Sequence, residues 1–266
     1  MIIPGVDASY DTLDDAEAKR LRAAGVQVWA QCLWTGSDPP APRVTNLRVA
    51  LNNGFIIAGY ISVTGSHDGY WHVGRGQAGV PPDIWDALAL VFVDVELDGI
   101  PNLTVRQAVD DLVHEGKRRA IYTSYNAWVN KQGSPTNFTD CLLWNALWDE
   151  NPDIDFPGLP YGGWQPHQVV AEQWSGGQNV EGVFVDRDSF VRELLVPQEE
   201  KTMPTLEQLE AAIAKERADR ELGAAWLSAA IAYADAGAKA HKADTLPHLD
   251  SEALRRLDAA YEARPK

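Results

Sequence analysis

The chain has few cations for its length and no long hydrophobic run. Its 266 residues carry 23 Lys and Arg against 38 Asp and Glu, a formal net charge of −15. Because nucleic-acid binding needs a basic face, this balance argues against a nucleic-acid partner and against charge-driven docking on an anionic membrane. No apolar run approaches the ~18 residues of a membrane span. The N-terminus lacks the basic and apolar segments of a signal peptide, so we expect no secretory leader.

Cysteine is scarce as well, since only Cys32 and Cys141 are present, each in an apolar, strand-like run. Neither has a neighbour at a spacing typical of metal ligands, so we expect buried free thiols and no metal or cofactor. His67 and His72 fall in the Gly-rich segment Thr64–Pro82, where the pattern predicts no regular helix and mobile surface side chains.

Strand and helix signals alternate over residues 1–198. Helical patterns include Thr12–Ala24, which stops at Gly25, and a helix opened by a capping box at Thr104–Gln107. Eight such units in about 200 residues predict a (β/α)8-type (TIM-like) barrel. An open doubly wound sheet is the alternative, disfavoured because no Gly-x-Gly-x-x-Gly turn follows the first strand. The predicted strands are Ile2–Asp7, Val26–Leu33, Phe55–Ser62, Ala89–Leu97, Arg118–Thr123, Cys141–Leu147, Gln168–Trp174 and Val180–Asp186.

Residues 199–266 differ from the rest in being Ala-rich with helical periodicity. Thr205 and Gln208 form a capping box at the start of this region. We therefore expect a barrel domain at 1–198 followed by a small α-helical hairpin. A hairpin of this size cannot bury its apolar surface alone, so it either packs on the barrel or mediates self-association or virion attachment.

Carboxylates stand at the ends of three predicted strands. Asp94 and Glu96 are two residues apart on the fourth strand, so they point to the same face, about 6.6 Å apart along the backbone. Asp7 ends the first strand and Asp186 the eighth, and these strands are neighbours in a closed barrel. Acids that converge on the C-terminal face of a barrel are typical of a catalytic site, and a carboxyl pair with one proton suits glycoside hydrolysis.

Each of these acids has a simpler explanation when taken alone. A strand-end Asp often caps the next helix, and for Asp7 or Asp186 this alternative stays open. Asp188 is expected to cap a helix over Ser189–Leu195. The alternative for Asp94 with Glu96 is a salt-bridged pair.

Aromatic residues at or near the predicted strand ends are candidates for sugar binding. Nine of the ten Trp precede residue 198, and sugars stack on flat aromatic rings. For each candidate, burial in the core is the alternative. The candidates are Trp34, Tyr60, Tyr125, Trp144 and Trp174.

Several short motifs, in order over residues 2–195, resemble family 25 glycoside hydrolases, the N-acetylmuramidase lysozymes common among phage endolysins. The resemblance implies a (β/α)8-type barrel with an acidic groove and bacterial peptidoglycan as substrate. The motifs are Gly5–Ser9, Phe92–Glu96, Ile121–Tyr125, Leu143–Ala146, Gln173–Ser175 and Val185–Asp186.

The resemblance also implies a role for each acid. It assigns the general acid/base to Glu96 and stabilisation of the oxocarbenium-like or acetamido-derived intermediate to Asp94. Asp7 and Asp186 match flanking acids that bind the sugar. We expect crowding by these acids and partial burial to raise the pKa of Glu96, while Asp94 stays ionised.

Three departures from the family pattern lie around the predicted groove. Gln31–Gly36 stands where an acid-containing Ala-Thr-Glu-Gly-like motif is usual; Ile61 replaces His after Tyr60, and Trp174 replaces Tyr after Gln173. They favour one alternative, a weakly active or inactive barrel that serves as a cell-wall-binding or virion tail module.

A chitinase is disfavoured, because Phe92 and Ala89 replace two acids of the Asp-x-x-Asp-x-Asp-x-Glu motif of that family. The absence of a leader predicts that the protein stays in the host cytoplasm until holin-dependent release, or is carried on the virion. In either case we expect it to act on the cell wall.

Overall fold

The computed structural model describes residues 1–37, 43–155 and 160–196. Within these residues eight strands pair in chain order and close into one barrel. The predicted (β/α)8-type barrel is therefore confirmed. The strands are β1 Ile2–Ala8, β2 Val28–Trp34, β3 Ile56–Ser62, β4 Val91–Asp94, β5 Ala120–Ser124, β6 Leu142–Ala146, β7 Val169–Val180 and β8 Val183–Val191.

Helices connect the first five strands of the barrel. Asp14 caps α1 with a capping box, because its side chain accepts from the Glu17 backbone while the Glu17 side chain accepts from the Asp14 backbone. The helix predicted at Thr12–Ala24 is thus present over a shorter range. The helices are α1 Asp15–Ala23, α2 Arg43–Asn52, α3 Gly69–Ala78, α4 Pro82–Ala87, α5 Asn102–His114 and α6 Arg192–Leu195, with a π-helical turn at Asn126–Lys131 and a 3-10 turn at Pro166–Gln168.

The eighth strand departs from a regular (β/α)8 barrel. Strands β1 to β7 pair in parallel, whereas β8 is antiparallel to β7 and β1. The turn at Glu181–Gly182 is too short for the crossover that parallel neighbours need. The helix predicted at Ser189–Leu195 is wrong, because β8 continues to Val191 along β1 and only Arg192–Leu195 is helical. Asp188, expected to cap that helix, is buried within β8.

The segment Thr64–Pro82, predicted to lack a regular helix, contains α3. Asp68 caps this helix by accepting a hydrogen bond of 2.8 Å from a backbone N–H of the first turn. Gly69 allows close packing on α5, since a Cβ there would lie 2.2 Å from the Ala108 backbone nitrogen. His72, expected on the surface, is consequently buried.

The start of α5 also differs from the prediction. The helix begins at Asn102, directly after Pro101, so the capping box predicted at Thr104–Gln107 is wrong. Proline fixes φ near its helical value, which favours a start before the threonine. Thr104 is instead buried within the first turn.

Apolar side chains form two layers, one on each side of the strands. Val93 belongs to the outer layer, together with Val105 of α5. The inner layer contains Phe92, Trp144 and Phe190, with ring centroids 5.0 Å apart for Phe92–Trp144 and 5.7 Å for Trp144–Phe190. These rings fill much of the barrel interior.

Both cysteines are buried and free, as the sequence predicted. None of the helices in the described ranges is long and apolar enough to cross a membrane. The predicted C-terminal hairpin at 199–266 lies outside the described residues, so the division near residue 198 and the role of the hairpin stay predictions.

Candidate active site

A cavity of about 350 Å³ opens at the carboxyl ends of the parallel strands. Every strand, or the loop directly after it, contributes to its wall. Four lining residues are acids, and among the described lining residues there is no Lys, Arg or His. The lining is Asp7, Ser9, Tyr10, Cys32, Thr35, Tyr60, Ser62, Asp94, Glu96, Tyr122, Trp144, Trp148, Gln173 and Asp186.

The structure brings six of the nine predicted site residues to this cavity. They are Asp7, Tyr60, Asp94, Glu96, Trp144 and Asp186. The other three, Trp34, Tyr125 and Trp174, lie outside the lining. All four predicted acids therefore line one cavity, and the three residues whose predicted position is wrong are all aromatic.

An irregularity in β2 turns Trp34 away from the cavity. The pairing of β2 with β3 shifts between Cys32 and Trp34, so the two residues do not share a face as in a regular strand. Trp34 is buried, and its Nε1 donates to Nδ1 of His72 at 3.2 Å. Its indole thus stabilises the packing of α3 on the barrel.

Trp174 and Tyr125 lie outside the cavity lining for two different reasons. Trp174 directly follows Gln173, which lines the cavity, so its side chain points to the opposite face, where Arg187 lies 5.3 Å from its ring centroid. Tyr125 comes after the end of β5, and its half-exposed ring packs edge-on against Tyr161 at 5.7 Å.

Asp94 is the last residue of β4 and is buried in the cavity wall. Ser62 Oγ donates to its Oδ2, while Oδ1 receives no hydrogen bond from the described residues. Burial, followed by the charge of Glu96, raises the pKa of Asp94 to about 7. The hydrogen bond from Ser62 opposes this rise, and the expectation that Asp94 stays ionised remains a prediction.

Glu96 lies two residues beyond the end of β4 and is partly exposed to the cavity. Burial raises its pKa, Asp186 adds to the rise, and Lys131 opposes it. Lys131 Nζ donates to the backbone carbonyl of Glu96 at 2.9 Å. The direction agrees with the sequence-based expectation, although burial is a larger cause than neighbouring charge. Because Asp94 and Glu96 interact, their carboxyls titrate as a pair.

Asp7 and Asp186 are joined through Gln173. Gln173 Nε2 donates to Asp7 Oδ2 at 2.7 Å and to Asp186 Oδ2 at 3.3 Å. Asp7 Oδ1 also accepts from the Tyr60 hydroxyl at 3.3 Å, and Asp186 Oδ1 accepts from the Gly177 backbone at 2.5 Å. Burial and then the charge of Asp186 raise the pKa of Asp7 to about 7.

Gln173 is the centre of a polar network that sequence reasoning did not identify as part of the site. Its Oε1 accepts from the Tyr122 hydroxyl at 2.9 Å and from Trp148 Nε1 at 2.7 Å. A glutamine that follows a buried, apolar stretch of strand needs polar partners, and that requirement was the available signal. Tyr122 and Trp148 carried no comparable signal, because aromatic residues are common in strands and loops.

Two aromatic residues on the cavity rim were also missed. Tyr10 and Trp148 are each 67% exposed although they line the cavity. The Trp148 indole is held in place by its hydrogen bond to Gln173 and by close contact with Gly176, where a Cβ would lie 3.1 Å from the ring. An exposed, fixed ring beside hydroxyl and carboxyl groups provides a platform for stacking a sugar ring.

Comparison with known proteins gives one related sequence and several related folds. No family model matches the chain. A curated relative from Dictyostelium discoideum, "Probable GH family 25 lysozyme 3", is 33% identical over 86 residues. These residues make up 32% of this chain and 18% of the relative, so the alignment spans less than a fifth of that protein.

The solved structures confirm the fold. A family GH25 lysozyme from Aspergillus fumigatus matches with a TM-score of 0.58 at 17% identity, over 74% of this chain and 100% of its own. A muramidase from Acremonium alcalophilum gives 0.55 at 18%, over 73% and 98%. The catalytic domain of a Listeria monocytogenes bacteriophage endolysin gives 0.55 at 13%, over 73% and 96%. The resemblance to family 25 predicted from the sequence motifs is thus confirmed.

Proposed function

We propose that this protein is an N-acetylmuramidase that cleaves bacterial peptidoglycan between N-acetylmuramic acid and N-acetylglucosamine. The observation that carries the proposal is the convergence of Asp7, Asp94, Glu96 and Asp186 on one open cavity. Buried acids without a cation among the described lining residues retain protons near neutral pH, as acid catalysis requires. The related sequence and folds support the same reaction class.

Glu96 is the general acid of the proposed reaction. It is the more exposed carboxyl of the Asp94–Glu96 pair, so it can reach a glycosidic oxygen in the cavity. As the bond between the anomeric carbon and this oxygen breaks, Glu96 transfers its proton to the leaving sugar. The resulting carboxylate then removes a proton from the water that attacks the anomeric carbon.

Asp94 stabilises the positive charge that develops at the anomeric carbon. Ser62 holds one of its oxygens, and the other, Oδ1, has no donor among the described residues. The N–H of a substrate acetamido group satisfies Oδ1, which favours the ionised form and orients the acetamido carbonyl toward the anomeric carbon. Attack by that carbonyl, followed by water, retains the anomeric configuration.

Mass spectrometry of the muropeptides released from purified peptidoglycan tests the proposal. Wild-type protein is expected to produce new reducing ends on muramic acid, and Glu96→Gln to release about 10²- to 10⁴-fold less. Glu181→Gln is the matched control, because Glu181 lies in the turn between β7 and β8, outside the cavity lining. Reducing ends on glucosamine, or full activity of Glu96→Gln, would overturn the assignment.

The alternative of an inactive wall-binding or virion module is not favoured. The related proteins are described as lysozymes or muramidases and as the catalytic domain of an endolysin. The acids also converge on the cavity despite the departures in Gln31–Gly36 and after Tyr60.

The proposed place of action is the bacterial cell wall, which the likeness to a phage endolysin domain supports. Release through a holin, carriage on the virion, and self-association through 199–266 stay predictions. We expect no cofactor, since the proposed mechanism uses carboxyl groups of the protein. The net charge of −15 is the reason to expect no nucleic-acid or anionic-membrane partner.

A further inference from the structure

Asp188 is a buried acid that has no role in the reaction as proposed above. It lies on β8 two residues after Asp186, so both side chains point into the barrel, but Asp188 is only 1% exposed. It does not line the cavity and therefore does not touch the sugar. Its Oδ1 accepts a hydrogen bond of 3.0 Å from Trp144 Nε1.

The two charged groups that act on Asp188 both oppose an ionised carboxyl there: Asp7 from β1 and Asp186 from β8. The Tyr122 hydroxyl from β5 also lies nearby and is neutral, because its pKa is raised well above 10. Among the described residues no Lys, Arg or His forms a salt bridge with Asp188. A buried carboxylate among acids, without a positive partner, is strongly destabilising, so the neutral form is favoured.

The pattern of hydrogen bonds shows which carboxyl holds the proton. In the β1–β8 pairing Asp188 lies opposite Gly5 and Asp7 lies opposite Asp186, so the buried carboxyls of Asp188 and Asp7 are diagonal neighbours inside the barrel. Two such carboxyls can share a hydrogen bond only with one proton between them. Asp7 already accepts on both oxygens, from Gln173 Nε2 and the Tyr60 hydroxyl. Asp188 Oδ2 receives no N–H or O–H donor from the described residues. Asp7 is therefore the acceptor and Asp188 the donor.

We propose that Asp188 is a positioning residue that stays protonated throughout the reaction and donates its carboxyl hydrogen to Asp7. This inference rests on the proposed function, in which Asp7 orients the sugar. With Asp7 fixed, Gln173 is fixed, and its Oε1 then holds Tyr122 and Trp148 at the cavity. Burial, with the charges of Asp7 and Asp186, raises the pKa of Asp188 well above its usual range.

Two substitutions separate a proton donor from a charged residue. In Asp188→Asn the amide still donates to Asp7 and its oxygen still accepts from Trp144, so we expect kcat/KM to fall by less than about threefold, with an unshifted pH profile. In Asp188→Leu the volume is similar but the donor is lost, so kcat/KM is expected to fall by about tenfold or more. If Asp188 acted as an anion, Asp188→Asn would remove a negative charge and move the alkaline limb of the kcat/KM–pH profile to lower pH. That result would overturn the proposal.

Infrared difference spectroscopy tests the protonation state without relying on catalysis. At about pH 9, two units above the pKa of about 7 of Asp7 and Asp94, the C=O stretch of a protonated carboxyl is expected to persist in the wild type. It should disappear in Asp188→Asn and remain in Asp86→Asn, whose side chain is exposed. A wild-type spectrum without this band overturns the proposal, whether or not the protein proves to be a muramidase.

Discussion

Asp94 with Glu96 and Asp7 with Asp188 are two pairs of interacting carboxyls, but their surroundings differ. Asp94 and Glu96 both line the cavity, and Asp94 Oδ1 has no donor among the described residues. In the second pair, Asp7 lines the cavity but accepts on both oxygens, and Asp188 lies behind the lining and is almost fully buried. Burial raises the pKa of all four carboxyls.

The difference shows that a raised pKa alone does not identify a catalytic acid. A proton can be transferred to substrate only from a carboxyl that reaches the cavity; Glu96 does, whereas Asp188, which we propose to hold the proton of the second pair, does not. Gln173, Tyr60 and Trp144 surround the second pair, so its hydrogen bond serves to orient groups. In the proposed reaction the same residue types thus serve acid catalysis in one pair and positioning in the other.

Of the substitutions that test the difference between the two carboxyl pairs, removing the charge of Asp94 is expected to have the largest effect. Asp94→Asn is expected to lower kcat by about 10²- to 10³-fold, because the carboxylate that stabilises the developing positive charge is lost. Steady-state hydrolysis of purified peptidoglycan measures the effect, with Asp86→Asn as an exposed control. A kcat within twofold of wild type would remove Asp94 from the mechanism.

The pH dependence of stability tests both pairs together. Asp7 and Asp94 have pKa values of about 7 in the folded protein, against about 3.9 for Asp in an unfolded chain. At these two sites the folded protein therefore binds protons more tightly, so their contribution to stability is full below about pH 4 and is lost as pH rises through 7. We expect Tm to fall by about 5 °C or more over this window and to fall less in Asp7→Asn. A Tm that rises between these pH values would contradict the buried, uncompensated acids.

Trp148 lies on the rim of the cavity, where Gln173 holds its indole. Trp148→Ala is expected to raise KM by about 3- to 10-fold through loss of ring stacking, with a smaller change in kcat. Trp174→Phe is the matched comparison, because Trp174 points away from the cavity and should leave KM unchanged. Equal effects of the two substitutions on KM would show that the rim aromatic does not bind sugar.

Substitution of Lys131 is expected to have the smallest effect, a shift in the pH profile of kcat. It lowers the pKa of Glu96 while lying outside the cavity lining. Lys131→Met is therefore expected to move the alkaline limb of the kcat profile to higher pH, and Lys131→Arg to leave it in place. A shift to lower pH in Lys131→Met would show that Glu96 does not govern this limb.

The barrel and its acids were predictable because both depend on strand periodicity. Alternating strand signals located β1 to β8, and acids at strand ends converge once a barrel closes. The antiparallel β8 was not predictable from periodicity, because it follows from the short turn at Glu181–Gly182 and from pairing with β1. Asp188 was consequently taken for a helix cap.

The aromatic residues were predicted less well, for a related reason. A strand-end tryptophan faces the cavity or the outer layer according to local register, and the irregularity after Cys32 turned Trp34 outward. Gln173 and Trp174 differ by one position, yet only Gln173 faces the cavity. The helix α3 was missed because Gly69 serves packing against α5.

The most direct test of the account makes the same isosteric change in both carboxyl pairs. Muropeptide release from purified peptidoglycan is measured for Glu96→Gln and Asp188→Asn beside the wild type. We expect a loss of about 10²- to 10⁴-fold for Glu96→Gln and a loss of less than about threefold for Asp188→Asn. Comparable losses in the two variants, or a larger loss in Asp188→Asn, would contradict it.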